Sequence, residues 1–310
     1  MSAAGRKDHI DLVCFGMLCQ GYLLVVESPP VRNGGTLIRE VREYFGDDAA
    51  IIAMLVHGWS VSSGLVGTAV GNDDSGRKIA RWIEEAGIPA QVRFSKGIST
   101  EFEVCVSDPG GARTYFWQRS PRVLDTLRTA DLSMLRGAKM LYVDWYDGEY
   151  ILPPIRQARA QGATVYLNLE SRYQDAALLN RLAPLSGICQ VSMDEPEAAG
   201  GVDEVVNLVL AAGSETVAVT MGRDGCVVAR GKERVRVPAP AVEVVDTTGA
   251  GAAFSAGFIY SHLQGWPLEA CARLATATAS LKCGKIGLSS VDLSDANSLA
   301  ANLTARLLPG

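Results

Sequence analysis

The stretch Asp246-Thr247-Thr248-Gly249-Ala250-Gly251-Ala252 sets an acid, two hydroxyls and two glycines just ahead of an apolar run that continues to Leu263. Glycines at 249 and 251 let the backbone approach a ligand closely. A helix that begins there presents unpaired N–H groups and the positive end of its dipole, which is an anion hole suited to phosphate. A lone Gly-x-Gly turn is common, so the assignment needs support from elsewhere in the chain. Further candidates are Asp47 and Asp48, which fall at a helix start and read either as polar contacts to a ligand or as a plain cap. Trp59, Tyr115, Trp117, Trp145 and Tyr146 read either as stacking surfaces or as core. Asp144 and Asn168 end candidate strands, Arg172 reads as a phosphate contact or a surface residue, and Lys282 and Lys285 read either as facing a nucleotide or, preferably, as solvated.

Other chemistry has little support. His9, His57 and His262 are far apart, and the seven cysteines are odd in number, widely spaced and never paired as Cys-x-x-Cys, so neither a zinc site nor a disulfide framework is expected. A net charge of −5 with scattered Lys and Arg argues against nucleic-acid binding. No signal-peptide pattern and no run of about 18 apolar residues occurs, so a cytoplasmic protein with no membrane association is expected.

The 310 residues, 48% hydrophobic and 20% charged, suit one globular α/β domain over 1–310. Strands are expected at 10–16, 22–26 and 61–66, a buried helix over 49–57, and a helix over 73–86 that stops at Gly87. The runs 100–106 and 113–117 flank Asp108-Pro109-Gly110-Gly111 as a hairpin. From about 135 the chain alternates strand and helix (140–143, 151–161, 164–169, 176–182, 188–192, 203–212, 216–220), the mark of a mainly parallel sheet with helices on both faces. A hairpin over 226–237, a strand over 242–245 feeding the glycine turn, helices from 251 to 263 and 268 to 283, and a last helix over 292–308 complete the reading. The β-rich stretches 17–45 and 98–120 are expected to stand outside the main sheet as a small lid.

The string from 246 to 252 resembles the second signature of the ribokinase family, the PfkB-type carbohydrate kinases, which reads Asp-Thr-x-Gly-Ala-Gly-Asp. Thr220-Met221-Gly222-Arg223-Asp224-Gly225 resembles the family's nucleotide loop, Asp194-Glu195-Pro196-Glu197 its Asn-x-x-Glu segment, and Val70 to Gly76 its Val-Gly-x-Asp-x-x-Gly turn. Residues 275–287 resemble the helix and loop that cover the adenine and border a monovalent-cation site. The likeness follows the family's order over nearly the whole chain.

It implies a ribokinase-like α/β fold and an ATP-dependent phosphotransferase that acts on a hydroxyl of a sugar, nucleoside or similar polyol. Gly249, Ala250 and Gly251 would form the anion hole. Asp194, Glu197, Thr220, Gly222, Gly225, Thr248 and Ala275 would hold nucleotide. Glu197 would hold magnesium through water and Asp246 a monovalent cation such as K+, while Gly21, Asp48, Ile51, Tyr115, Trp117 and Asn168 would line the substrate. A homodimer paired through lid strands is also implied.

The departures are as informative as the matches. The family's base, the Asp that closes its signature, is Ala252 here, and alanine cannot accept a proton. Gly21 stands where the family has a substrate-binding Asp, and Asp48 and Ile51 stand at its two Asn positions. Three losses together exceed what one engineered change at 252 would explain. Three readings follow: a family kinase with an unusual substrate, an inactive member kept as a ligand-binding or regulatory protein, and an enzyme that uses the anion hole for other chemistry.

Overall fold

The computed structural model describes residues 10–29, 31–193, 201–288 and 290–308. In chain order, β1 (Leu12–Gly16), β2 (Cys19–Val26) and β3 (Ile38–Gly46) precede α1 (Asp48–Gly58), β4 (Ser63–Gly67), β5 (Val70–Gly71) and α2 (Asp74–Ala86). Next come β6 (Ala90–Gln91), β7 (Phe94–Ser95), β8 (Glu101–Ser107), β9 (Arg113–Gln118) and the short α3 (Pro121–Asp125). The alternating region holds β10 (Met140–Asp144), α4 (Leu152–Ala160), β11 (Thr164–Glu170), α5 (Ala176–Leu182), β12 (Ile188–Ser192), α6 (Val202–Ala211) and β13 (Thr216–Thr220). The hairpin β14 (Cys226–Arg230) and β15 (Glu233–Val237) then leads to α7 (Ala250–Leu263), α8 (Leu268–Cys283), α9 (Leu293–Asn302) and β16 (Arg306–Leu307).

Ten strands form one sheet in the order β16-β15-β14-β13-β12-β11-β10-β1-β4-β6, parallel from β13 to β6 and antiparallel from β13 to β16. Its central strands are apolar on both faces because both faces are covered. On one side Leu12, Cys14, Tyr142, Tyr166 and Ile188 pack with α1, α7 and α8; on the other Val13, Phe15, Leu141, Val143 and Leu167 pack with α4, α5 and α6. This is the mainly parallel sheet with helices on both faces that the alternation predicts, and the α/β fold that the resemblance implies. A separate four-stranded sheet, β3-β2-β8-β9, joins the two early β-rich stretches, with β2 and β8 parallel and both outer pairs antiparallel.

Two expected elements differ. Residues 242–245 form no strand: the N–H groups of Val245 and Asp246 both donate to the carbonyl of Cys283, at 2.8 and 3.1 Å, so the end of α8 takes the donors a ladder would use. The tail is not one helix to 308. It leaves α9 at Asn302, and β16 pairs with β15 (Val235 opposite Leu307), covering a sheet edge that would otherwise present unpaired backbone groups.

The element that carries the glycine turn is fixed by close packing. A Cβ at Gly257 of α7 would lie 2.7 Å from Thr278 Oγ1 and 2.9 Å from Ala275 Cα of α8. Gly257→Val is therefore expected to destabilise the protein by about 1–3 kcal/mol, since forcing two packed helices apart carries an overpacking cost of that order. Urea unfolding of the two proteins checks this; an unchanged midpoint would show that the helices yield freely.

Candidate active site at the strand ends

The glycine turn leaves its amides free. Gly249 takes the left-handed conformation at φ 74° and no side chain caps α7. The Ala250 amide donates to Thr247 O and the Ala253 amide to Gly249 O, at 3.1 and 2.9 Å. No acceptor among the described residues meets the amides of Gly249, Gly251 and Ala252. Gly251 is exposed and Gly249 half-buried, so an anion can reach them, whereas the Ala252 methyl is buried. A side chain at Gly249 would strike Leu288, 2.5 Å away.

Asp246, fully buried, holds this turn from below. Its Oδ1 accepts from the Thr248 amide at 3.0 Å and the Thr248 hydroxyl at 2.8 Å, and its Oδ2 from the Gly287 amide at 2.9 Å. Lys282 Nζ lies 3.2 Å from Oδ2 and 2.8 Å from the Asp246 carbonyl. Burial alone would raise the Asp246 carboxyl; the Lys282 ammonium and these amides outweigh it and hold the group below the ordinary carboxylate range. Two expectations are corrected here. Lys282 is 2% exposed rather than solvated, and its ammonium occupies the oxygens of Asp246 that were expected to bind a monovalent cation. The residues present do not fit such an ion.

Towards their C-terminal halves the parallel strands carry a row of polar side chains, with Asp144, the last residue of β10, opposite Asn168 and Asn168 opposite Gln190. Asn168 Nδ2 donates to Asp144 Oδ2 at 2.9 Å and lies 3.4 Å from Asp48 Oδ2. The Tyr166 and Ser255 hydroxyls both donate to Gln190 Oε1, and Ser255 also reaches the Gly251 carbonyl, so the row runs up to the first turn of α7. Ligands of open α/β sheets gather at such strand ends.

This row is rich in acid. The Asp47 carboxylate stands close enough to Asp48, Glu103, Asp144, Asp147 and Glu170 to raise their proton affinity, opposed by Arg113 and Arg119. Burial first, and then the neighbouring carboxylates, push Asp48 and Asp144 well above the ordinary range. Asp144 Oδ1 is buried with no partner among the described residues. Arg119 Nη1 pairs with Asp47 at 2.9 Å and its Nη2 lies 3.4 Å from Glu103, which ties β9 and β8 to the cap of α1. The Tyr146 hydroxyl donates to Asp47 at 2.7 Å.

The structure sorts the remaining candidates. Asp48 belongs to the acidic row, although the cap of α1 is Asp47. Tyr115 and Trp117 stack on each other with centroids 5.8 Å apart on the sheet face that also carries Glu103 of β8, and Trp117 is 60% exposed. Gly21 lies under the ring of Tyr44, whose hydroxyl bonds Glu103; a side chain at 21 would overlap that ring. Ile51 is a core residue packed on Gly46 and offers a ligand nothing. Ala275 is buried between α8 and α7, so it has no surface for adenine, and Thr248 is spent on Asp246. Thr220 ends β13 beside Ser192, and Gly222 and Gly225 take positive φ in the turn after it. Asp194 and Glu197 lie outside the described residues. Trp59 is core, its indole N–H donating to Val291 O, and Arg172 lies over Trp145 and pairs with Asp175. Asp73 of the Val70–Gly76 turn caps α2 and binds the Thr100 amide and hydroxyl.

Residues 10–295 match the pfkB family of carbohydrate kinases. The chain is 24% identical over 283 residues to a nucleoside kinase of Methanothermobacter thermautotrophicus, covering 88% of this chain and 89% of that protein. It is 29% identical over 284 residues to an ATP-dependent ribose-1-phosphate kinase of Halopiger xanaduensis, covering 91% and 94%. Among solved structures, Arabidopsis thaliana ribokinase complexed with ribose and ATP superposes with a TM-score of 0.75 at 20% identity, over 94% of this chain and 98% of that one.

A carboxyl whose folded-state proton affinity is raised contributes stability that is complete below the ordinary carboxylate range, about pH 4, and is lost as pH rises through its folded value. Asp144→Asn removes that loss. The melting temperature of the variant relative to the parent is expected to rise steadily from pH 5 to pH 8. A difference that stays flat over this range would show Asp144 ionised throughout.

Proposed function

The chain belongs to the pfkB family of carbohydrate kinases, and from that premise we propose that it binds ATP through the free amides at the start of α7 and phosphorylates a hydroxyl of an uncharged or cationic, hydroxyl-rich compound, a sugar or nucleoside. The observation that carries this reading is the set of unpartnered amides at Gly249, Gly251 and Ala252, which opens beside the polar row of Gln190, Asn168 and Asp144 on neighbouring parallel strands. Phosphoryl transfer asks a protein mainly to position two reactants and neutralise charge. Those amides, with the positive end of α7, face the charge that grows on the transferring group. Magnesium would neutralise phosphate oxygens; the residue expected to hold it through water, Glu197, lies outside the described residues.

The acidic row supplies the acceptor side. The carboxyl groups, Asn168 and the Tyr146 hydroxyl accept hydrogen bonds from sugar hydroxyls, and surroundings that already disfavour negative charge on the acids disfavour a phosphate or carboxylate on the substrate. The four-stranded sheet serves as lid, with Tyr115 and Trp117 stacking on a ring bound beneath them. Its other face carries Tyr22, Val41, Phe102 and Phe116, of which Val41, Phe102 and Phe116 are exposed, and this apolar face pairs two subunits.

Proton removal is the weak step, since Ala252 cannot perform it. Ala252→Asp is expected to raise turnover by about 100 to 10,000-fold, the usual worth of a positioned base. The check is ATP-dependent phosphorylation of a panel of sugars and nucleosides by both proteins, with neutral polyols preferred over phosphorylated ones. Tight nucleotide binding with no turnover from either protein would instead favour the ligand-binding reading, and absence of nucleotide binding would sink both.

A further inference from the structure

We propose that Lys282 is a built-in monovalent cation, its ammonium standing where an alkali ion would otherwise bind beneath the phosphate-binding turn, so that this turn needs no added potassium. The significance for nucleotide rests on the kinase reading above; the coordination itself does not.

The ammonium is surrounded by oxygen alone: the Asp246 carbonyl at 2.8 Å, Asp246 Oδ2 at 3.2 Å and the Lys285 carbonyl at 3.2 Å. Three N–H donors meet three acceptors, one of them charged, so the group is fully satisfied. Two backbone carbonyls and a carboxylate are also the donor set that a hard monovalent cation would choose. Lys282 is 2% exposed and Asp246 fully buried, so neither charge is tolerable without the other. Burial draws the lysine below its ordinary value while Asp246 draws it back.

The consequence follows from covalent tethering. Lys282 sits in the last turn of α8, and the carbonyl of the next residue, Cys283, accepts from the Val245 and Asp246 amides. The helix therefore delivers both the charge and the acceptor that shape the turn, and the site is filled at any ion concentration.

The test compares potassium chloride with choline chloride at equal ionic strength on the full chain, reading melting temperature and ADP affinity. The parent protein is expected to show the same values in both salts. Lys282→Met and Lys282→Ala are expected to melt lower and, in choline, to bind ADP at least about tenfold more weakly, with potassium restoring both properties in Lys282→Ala. Lys282→Arg should remain indifferent to potassium. A parent protein that potassium stabilises beyond choline would overturn the proposal, as would variants that match the parent in choline. If the Met and Ala variants do not fold, the parent comparison decides by the same criterion. If the parent binds no ADP, the kinase reading fails, while the melting temperatures still judge Lys282.

Discussion

The carboxylate of Asp246 is the constraint on which the site depends. It gathers the Thr248 amide and hydroxyl, the Gly287 amide and the Lys282 ammonium around two oxygens with no access to water. Those donors come from three separate stretches of chain: the turn itself, the end of α8, and the loop before α9. Holding them together fixes where α7 begins and leaves its first amides aimed outward. Buried ionic clusters contribute little net stability against apolar alternatives, so a network of this kind is better understood as setting one conformation than as strengthening the fold.

The same economy shapes the opposite wall. Arg119 bridges Asp47 at the start of α1 and Glu103 on β8, which couples the main sheet to the four-stranded sheet through charge. The acids around them are costly when the crevice is empty, because burial and mutual repulsion both disfavour their charged forms. A ligand that donates hydrogen bonds would relieve that cost.

The architecture was largely legible in the chain. Apolar runs alternating with amphipathic stretches marked the succession of strands and helices along the chain, and the cap residues Asp73 and Gly87 bounded α2 as their chemistry requires. The segment 242–245 misled because β-branched residues next to a turn read as a strand, while the partner that claims its amides, Cys283, lies far along the chain. Half of the acidic row was hidden for a similar reason. Glu101 and Glu103 alternate with Phe102 and Val104 on β8, a period-two pattern that marks them as sharing one face of the strand; nothing local shows that Arg119 will meet Asp47. Lys282 was misjudged because a lysine in the last turn of a helix is ordinarily a solvated partner of the dipole. Its burial depends on Asp246, which only the tertiary fold places within reach.

The most direct test of the account is the backbone amide resonances of Gly249, Gly251 and Ala252 recorded as magnesium and a non-hydrolysable ATP analogue are added. Phosphate bound at the start of α7 should shift these amides strongly, and far more than those of exposed loops elsewhere. Nucleotide binding that leaves all three unmoved would place the phosphates somewhere else and contradict the central claim.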